Sequence, residues 1–180
     1  MLRRGMFLLA AAPVALTAGC GGAEPASPTP TTTVTLSVTS TAFTEGSAIP
    51  DDFTCLGAGN RPPLRWSGAP AAAYAIVVND PDAPGGDYRH WIVVDLPGGT
   101  AGVGAAIPGQ ATVLKNSAGD AAWTPPCPPS GTHHYRFTVY ALSAPTNATT
   151  VENAFAAIQK TTVAAGTLTG TVTHRAATPR

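Results

Sequence analysis

The sequence of 180 residues is poor in charge. Asp, Glu, Lys and Arg make up 11% of it, well below the roughly 25% usual in soluble domains. The ten basic residues equal the ten acidic ones. With no excess of either sign, the chain lacks the electrostatic footprint of a nucleic-acid partner and carries no acidic block. Aromatics are also few, at 7%. The main apolar run, residues 6–16, is broken by Pro13 and falls short of the roughly twenty residues that a membrane-spanning helix needs. Only three cysteines are present, and no pair has metal-site spacing. The motifs H-E-x-x-H, G-x-S-x-G and the P-loop are missing, which removes the usual sequence signatures of zinc peptidases, α/β-hydrolases and nucleotide hydrolases. No internal repeat is found. What is abundant is Gly and Pro, 19 and 18 residues, within a chain that is 44% hydrophobic. That is enough apolar material for one core and too many turn formers for a helical bundle. The length fits one domain.

The first twenty residues read MLRRGMFLLAAAPVALTAGC. Arg3 and Arg4 precede the short apolar run, as in a secretory leader. The end of the segment resembles a bacterial lipobox, in which the cysteine is lipidated and becomes the first mature residue. Leu16 stands one position further from Cys20 than is usual. The alternative is a plain leader cleaved near Ala18-Gly19, with a free Cys20. The expectation is therefore a lipoprotein signal peptide at 1–19 and lipidation at Cys20. The protein would be exported and held on the cell membrane, facing away from the cytoplasm. Without Arg3 and Arg4 the remaining chain has eight basic and ten acidic residues, a net charge of −2. Residues 20–33 include GGAEPASPTPTTT and show no apolar period; they read as a flexible tether. The folded domain is expected at 34–175.

Two further cysteines, Cys55 and Cys127, remain for a disulfide in an exported chain. Two separate buried thiols are the alternative, since spacing alone does not bring two Cα atoms within bonding range.

Residues 34–38 alternate apolar and polar, as a half-buried strand does. Residues 64–66 follow Pro62-Pro63 and read as a short edge strand. The runs at 74–78 and 91–94 are rich in β-formers. In 135–142, Tyr135, Phe137, Val139 and Ala141 share one face. Residues 167–173 make a last strand, weakened by Gly170. One helix is expected, with Thr149 as N-cap, Glu152 in a capping box, Val151, Phe155 and Ile158 on the apolar stripe, and Gly166 as the stop. The fold class predicted is all-β dominated: an antiparallel β-sandwich with Greek-key connections and one or two peripheral helices.

The chemistry-bearing residues cluster in three places: Asn79-Asp80-Pro81-Asp82-Ala83-Pro84, Arg89-His90-Trp91, and residues 126–135, PCPPSGTHHY. Asp80 ends one predicted strand and His90 begins the next, so both can reach one end of a sheet. His133 and Tyr135, two apart, share a face. The rigid φ of proline would stiffen the loops between them. Asp80 and Asp82 would otherwise be plain turn formers. His134 would face away from His133, His174 is a tail residue with no partner in sight, and Arg89 and Arg136 read as surface charges, with steering of anions the alternative role for Arg89. Two His and an Asp raise zinc as a rival, and Ser130 beside His133 raises a hydrolase; neither has the spacing that its chemistry needs.

Taken in order, D-P-D-A-P at 80–84, H-W at 90–91 and C-P-P-x-G-x-H-x-Y at 127–135 resemble the phosphatidylethanolamine-binding protein family, the Raf kinase inhibitor-like proteins. I-P-D-D-F-T-C-L-G at 49–57 and P-P-L-R-W at 62–66 extend the resemblance over about 43–170. It implies a β-sandwich whose pocket takes small anions, phosphate or phospholipid head groups. By position, that pocket would be built from Asp80, Asp82, His90, His133 and Tyr135, with Pro128 and Pro129 as its loop wall. Many members have Gly where this chain has Pro125, a change that removes a backbone N–H at the rim, and Trp123 stands at the family's aromatic position. The resemblance implies a binding protein without catalytic residues, cofactor or metal. Its partners would be an anionic or phospholipid ligand and the membrane through Cys20. The alternative is a protein-binding inhibitor or regulator of an envelope protease or kinase. If histidines hold the anion, affinity should rise as pH falls from about 8 to about 6.

Overall fold

The computed structural model describes residues 25–29 and 34–175. The expected leader and Cys20 lie outside the described residues. Two antiparallel sheets face each other, and one helix covers the outer side of the larger. The small sheet holds β1 (Ser37–Thr39), β2 (Leu64–Ser67) and β5 (Gly102–Val103) in the order β1-β2-β5. The large sheet holds β3 (Ala73–Asp80), β4 (Tyr88–Pro97), β6 (Thr112–Leu114), β7 (Thr132–Leu142) and β8 (Thr162–Thr173), in the order β6-β4-β3-β7-β8. Helix α1 spans Val151–Thr161, and a single 3-10 turn spans Asp51–Phe53.

Period-two alternation sorts the large sheet's side chains between two cores. Ile76, Val78, Trp91, Val93, Tyr135, Phe137 and Val139 meet Leu36, Val38, Leu64, Trp66 and Val103 between the sheets. Ala75, Val77, Ile92, Val94, Tyr140 and Leu142 meet Ala154, Phe155 and Ile158 of α1. With both faces covered, β3 is buried at all eight positions, and Ala73 to Val78 read as a continuous apolar run before the polar Asn79 and Asp80.

Several expectations shift. Strand β2 pairs with both β1 and β5, so it is central; Pro62 and Pro63 precede the ladder and cost it nothing. The first strand starts at Ser37, while Thr35 makes an isolated parallel bridge to Ala165. The helix N-cap is Thr150, whose extended backbone lets its hydroxyl accept from the Asn153 N–H at 3.3 Å. Glu152 therefore sits one position early for a capping box but still favours the helix N-terminus by charge. The helix stops at Thr161, and β8 follows without a break, so Gly166 lies inside a strand. A Cβ on Gly166 would stand 2.1 Å from the Leu36 carbonyl oxygen, and one on Gly170 would meet Ile49 Cγ1 at 2.5 Å. Both glycines thus mark places where a neighbouring segment lies directly on β8.

The edges of the large sheet are managed in two ways. β6 is only three residues long, and the open side of β8 is covered by main-chain bonds from residues 34–36 and 46–49. The segment at 20–33 is not wholly a free tether either. Its described part, 25–29, lies on the domain: the Ser27 N–H donates to Asp87 Oδ2 at 2.9 Å, and the Tyr140 hydroxyl donates to the Pro28 carbonyl.

Candidate functional site

Register brings the site together. Asp80 ends β3 and pairs with Tyr88 at the start of β4; Asn79 pairs with Arg136 near the start of β7. Alternate residues Tyr88 and His90 on β4, and His133 and Tyr135 on β7, therefore reach the same side of one sheet end as Asp80. They line a cavity of about 260 Å³ with Ala83, Pro84, Thr124, Pro125, Cys127 and Pro129. Most of the wall is apolar and the polar groups are few, as in small-ligand sites generally.

Each polar group has a fixed role. Asp80 is 4% exposed. Its Oδ1 accepts from the Asp82 N–H at 2.9 Å and its Oδ2 from His133 Nδ1–H at 2.7 Å. That bond orients the His133 ring and leaves Nε2 as its nitrogen for a ligand. His90 donates from Nδ1 to the Thr124 carbonyl at 2.8 Å, which leaves its Nε2 a bare acceptor in the neutral ring. Burial holds the His90 pKa below the ordinary value of 6.5, only partly opposed by the Thr124 carbonyl and Asp80. His90 therefore presents a lone pair at neutral pH, not a positive charge. Its ring is braced by Tyr88 at 4.9 Å and edge-on by Tyr135 at 5.2 Å.

Tyr135 is fully buried, and its hydroxyl lies near Asp80 and the Cys127 main chain in hydrogen-bonding geometry with neither. Burial, with the nearby Asp80 charge, pushes its pKa far up, so the phenol stays a neutral donor. A buried, unpartnered donor is costly and rare in folded proteins.

The cavity roof is clamped covalently. Cys55 and Cys127 form a disulfide with Cα atoms 5.4 Å apart. The Cys55 N–H also donates to the Pro126 carbonyl at 3.0 Å, and Trp123 Nε1 to the Gly59 carbonyl at 3.1 Å. Pro125 forms part of the wall and offers carbon where another residue would offer an N–H.

Five of the seven residues expected in the pocket line it: Asp80, His90, Pro129, His133 and Tyr135. Asp82 does not. Its carboxylate accepts from the His134 main-chain N–H at 2.8 Å and from His134 Nδ1 at 2.7 Å. Those bonds hold its pKa below the usual carboxylate range. Two residues beyond Asp80 the chain has turned outward, so Asp82 pins the β3–β4 loop to β7 from the solvent side, and His134 is its partner. Pro128 is also outside the cavity; its carbonyl accepts from His174 Nδ1 at 3.0 Å, so His174 is a tied residue and not a loose tail. Arg89 is not a surface charge. It is 2% exposed on the face of β4 opposite His90, donates to the Pro25 carbonyl at 2.6 Å, and lies over the Phe155 ring. Sequence reasoning missed Tyr88, whose position two before His90 on one strand was the available signal.

A larger hollow of about 690 Å³ lies between β6 and the start of α1, with Arg89, Lys115 and Glu152 on its wall. Its charges are of mixed sign and Arg89 is committed to Pro25, so the convergent chemistry belongs to the smaller cavity. Among the described residues no group of three His, Cys, Asp or Glu is placed to hold a metal ion, and no helix is long and apolar enough to cross a membrane.

A family model described as phosphatidylethanolamine-binding protein matches residues 39–173. The chain is 50% identical over 119 residues to a UPF0098 protein of Mycobacterium bovis, covering 64% of this chain and 58% of that one. It is 46% identical over 132 residues to LppC of Mycobacterium tuberculosis, whose name marks it as a candidate lipoprotein, covering 69% of this chain and 66% of that one. The match thus spans about three-fifths of the length of these relatives. The crystal structure of a phosphatidylethanolamine-binding protein homologue from Chlamydia trachomatis superposes with a TM-score of 0.73 at 34% identity, over 78% of this chain and 99% of that one. The YbcL structure from E. coli gives 0.70 at 26% identity, over 78% and 99%.

Proposed function

The chain belongs to the phosphatidylethanolamine-binding protein family, and from that premise we propose an envelope-tethered binding protein whose cavity takes a phosphate-bearing ligand, either a small phosphate or a phospholipid head group. The observation that carries this reading is the buried Tyr135 hydroxyl, left without a protein acceptor beside the His133–Asp80 pair. An anion's oxygen would satisfy it. His133, oriented by Asp80 through its Nδ1–H, is the second contact and donates from Nε2–H to the anion in its imidazolium form, whereas His90 Nε2, a bare acceptor, would take the hydrogen of a singly protonated phosphate. The cavity of about 260 Å³ suits a phosphate with a short substituent. Asp80 faces His133 and so sets a ring in place instead of repelling the guest. The site is read as a receptor without a bond-making step. Anchoring rests on the leader, on Cys20 and on the likeness to LppC.

Calorimetric titration of the full chain in detergent, with inorganic phosphate and with glycerophosphoethanolamine, tests the pocket. Binding of at least one probe is expected, abolished in His133→Ala. Native mass spectrometry of the purified protein checks for a retained ligand. Silence with both probes and no retained mass would remove the reading and favour a regulator that uses another surface. Cys20→Ser should move the protein from the membrane fraction to the soluble one.

A further inference from the structure

The same strand end that carries the cavity also holds the N-terminal segment. Along β4 and the residue before it, Tyr88 and His90 face the cavity, while Asp87 and Arg89 face the other way. Those two outward residues grip the chain: Asp87 accepts from the Ser27 N–H at 2.9 Å, and Arg89 donates to the Pro25 carbonyl at 2.6 Å. Tyr140, near the C-terminal end of β7, donates to the Pro28 carbonyl. Followed toward the N-terminus, the segment runs from Tyr140 to the strand ends at Asp87 and Arg89. It rests there beside Asn79, Pro81 and Arg136.

We infer that residues 25–29 are a strap that fixes the attitude of the domain, turning the cavity-bearing end of the large sheet toward the bilayer that anchors the chain. The inference rests on lipidation at Cys20. If 20–33 were a free coil, the fourteen residues could carry the domain about 50 Å from the anchor in any orientation. With 25–29 held on the sheet, only the five steps from Cys20 to Pro25 remain, about 17 Å at full extension. Pro25, the first described residue, is held by Arg89, which lies between two cavity residues in sequence, and the inferred strap directs the chain toward its anchor from that point. The β3–β4 loop, which supplies Ala83 and Pro84 to the cavity wall, is therefore the part of the domain nearest the lipid surface.

Position of an inserted spacer separates a strap from a coil. Photo-cross-linking side chains are placed at Gly85, in the β3–β4 loop, or at Gly99, beyond the far end of β4; a Cβ at either meets nothing within 4 Å. The full lipidated chain is reconstituted in vesicles of phosphatidylethanolamine and phosphatidylglycerol. Lipid cross-linking from position 85 should exceed that from 99 at least fivefold. A twelve-residue Gly-Ser insertion between Glu24 and Pro25 should erase the difference. The same insertion between Thr29 and Pro30 should preserve it, because the strap still fixes the point of exit. Equal yields from 85 and 99 in the uninserted chain, equal effects of the two insertions, or a Cys20 that carries no lipid by mass would each overturn the inference. Phosphate titration of the same preparation reports the cavity separately, so a failed pocket with the 85/99 contrast intact leaves the strap standing.

Discussion

Tyr135→Phe should make the protein more stable and a poorer binder at once. The substitution removes one oxygen from a fully buried ring that packs edge-on against His90 and leaves the ring in place. A buried hydroxyl with no acceptor costs a fold about 1–3 kcal/mol in lost hydration, and the phenylalanine variant recovers it. For a domain of this size that is a rise in melting temperature of about 3–10 °C. Affinity moves the other way. A neutral phenol, kept un-ionised by burial, donates to a charged oxygen, and such a bond is worth about 1.5–3 kcal/mol, or about 10- to 150-fold in Kd. The assay is a calorimetric melt of the ligand-free protein and a phosphate titration at pH 7. His133→Ala supplies the contrast: it also weakens binding but strands the buried Asp80 carboxylate, so it should destabilise by about 3–5 kcal/mol. A Tyr135→Phe variant that melts lower than its parent, with unchanged affinity, would refute the assignment of this hydroxyl to a ligand.

Replacing both Cys55 and Cys127 by Ser opens a loop with a sequence separation of 72 and should cost about 4 kcal/mol, read as a lower denaturation midpoint, together with weaker phosphate binding because the cavity roof is freed. Since burial depresses the folded-state pKa of His90, the unfolded chain takes up its proton first as pH falls; this stability is complete above about pH 6.5 and declines below it by up to about 1.4 kcal/mol per pH unit, until the folded-state value is reached. Denaturant midpoints at pH 7 and pH 5 check the sign, and His90→Gln should flatten the slope. Because His90 Nε2 accepts a hydrogen, a phosphomonoester should bind more tightly as pH falls through about 6, where the monoanion takes over. Gly170→Ala should destabilise by about 1–3 kcal/mol, seen in the melt, because its Cβ would press on Ile49 and Phe43.

The sandwich was legible because the long strands are strongly patterned: Tyr135, Phe137, Val139 and Ala141 alternate into one core as their spacing required. The convergence of Asp80, His90, His133 and Tyr135 was legible for the same reason, since strand ends and a period of two set which groups meet. β5 and β6, of two and three residues, carry too little pattern to announce themselves. The helix-to-strand junction at Thr161-Thr162 has no glycine or proline to mark it. Gly166 and Gly170 look like punctuation, yet they answer to segments far away in sequence. Asp82 and Arg89 were misplaced because one residue's difference in phase decides between cavity and opposite face, and the loop at 81–87 hides that phase.

The covering of β8 by residues 34–36 and 46–49 has a consequence for how the chain acquires its shape. The first-made and last-made parts of the domain are neighbours, with Thr35 bridged to Ala165 and Ala48 to Thr171. A chain emerging N-terminus first cannot close that seam until its final strand arrives. Contacts so distant in sequence make folding slow and leave a bare ladder exposed meanwhile. The window in which this protein is open to aggregation or to a chaperone therefore ends only with the C-terminal dozen residues of the domain, and truncations there should be more damaging than their distance from the cavity suggests.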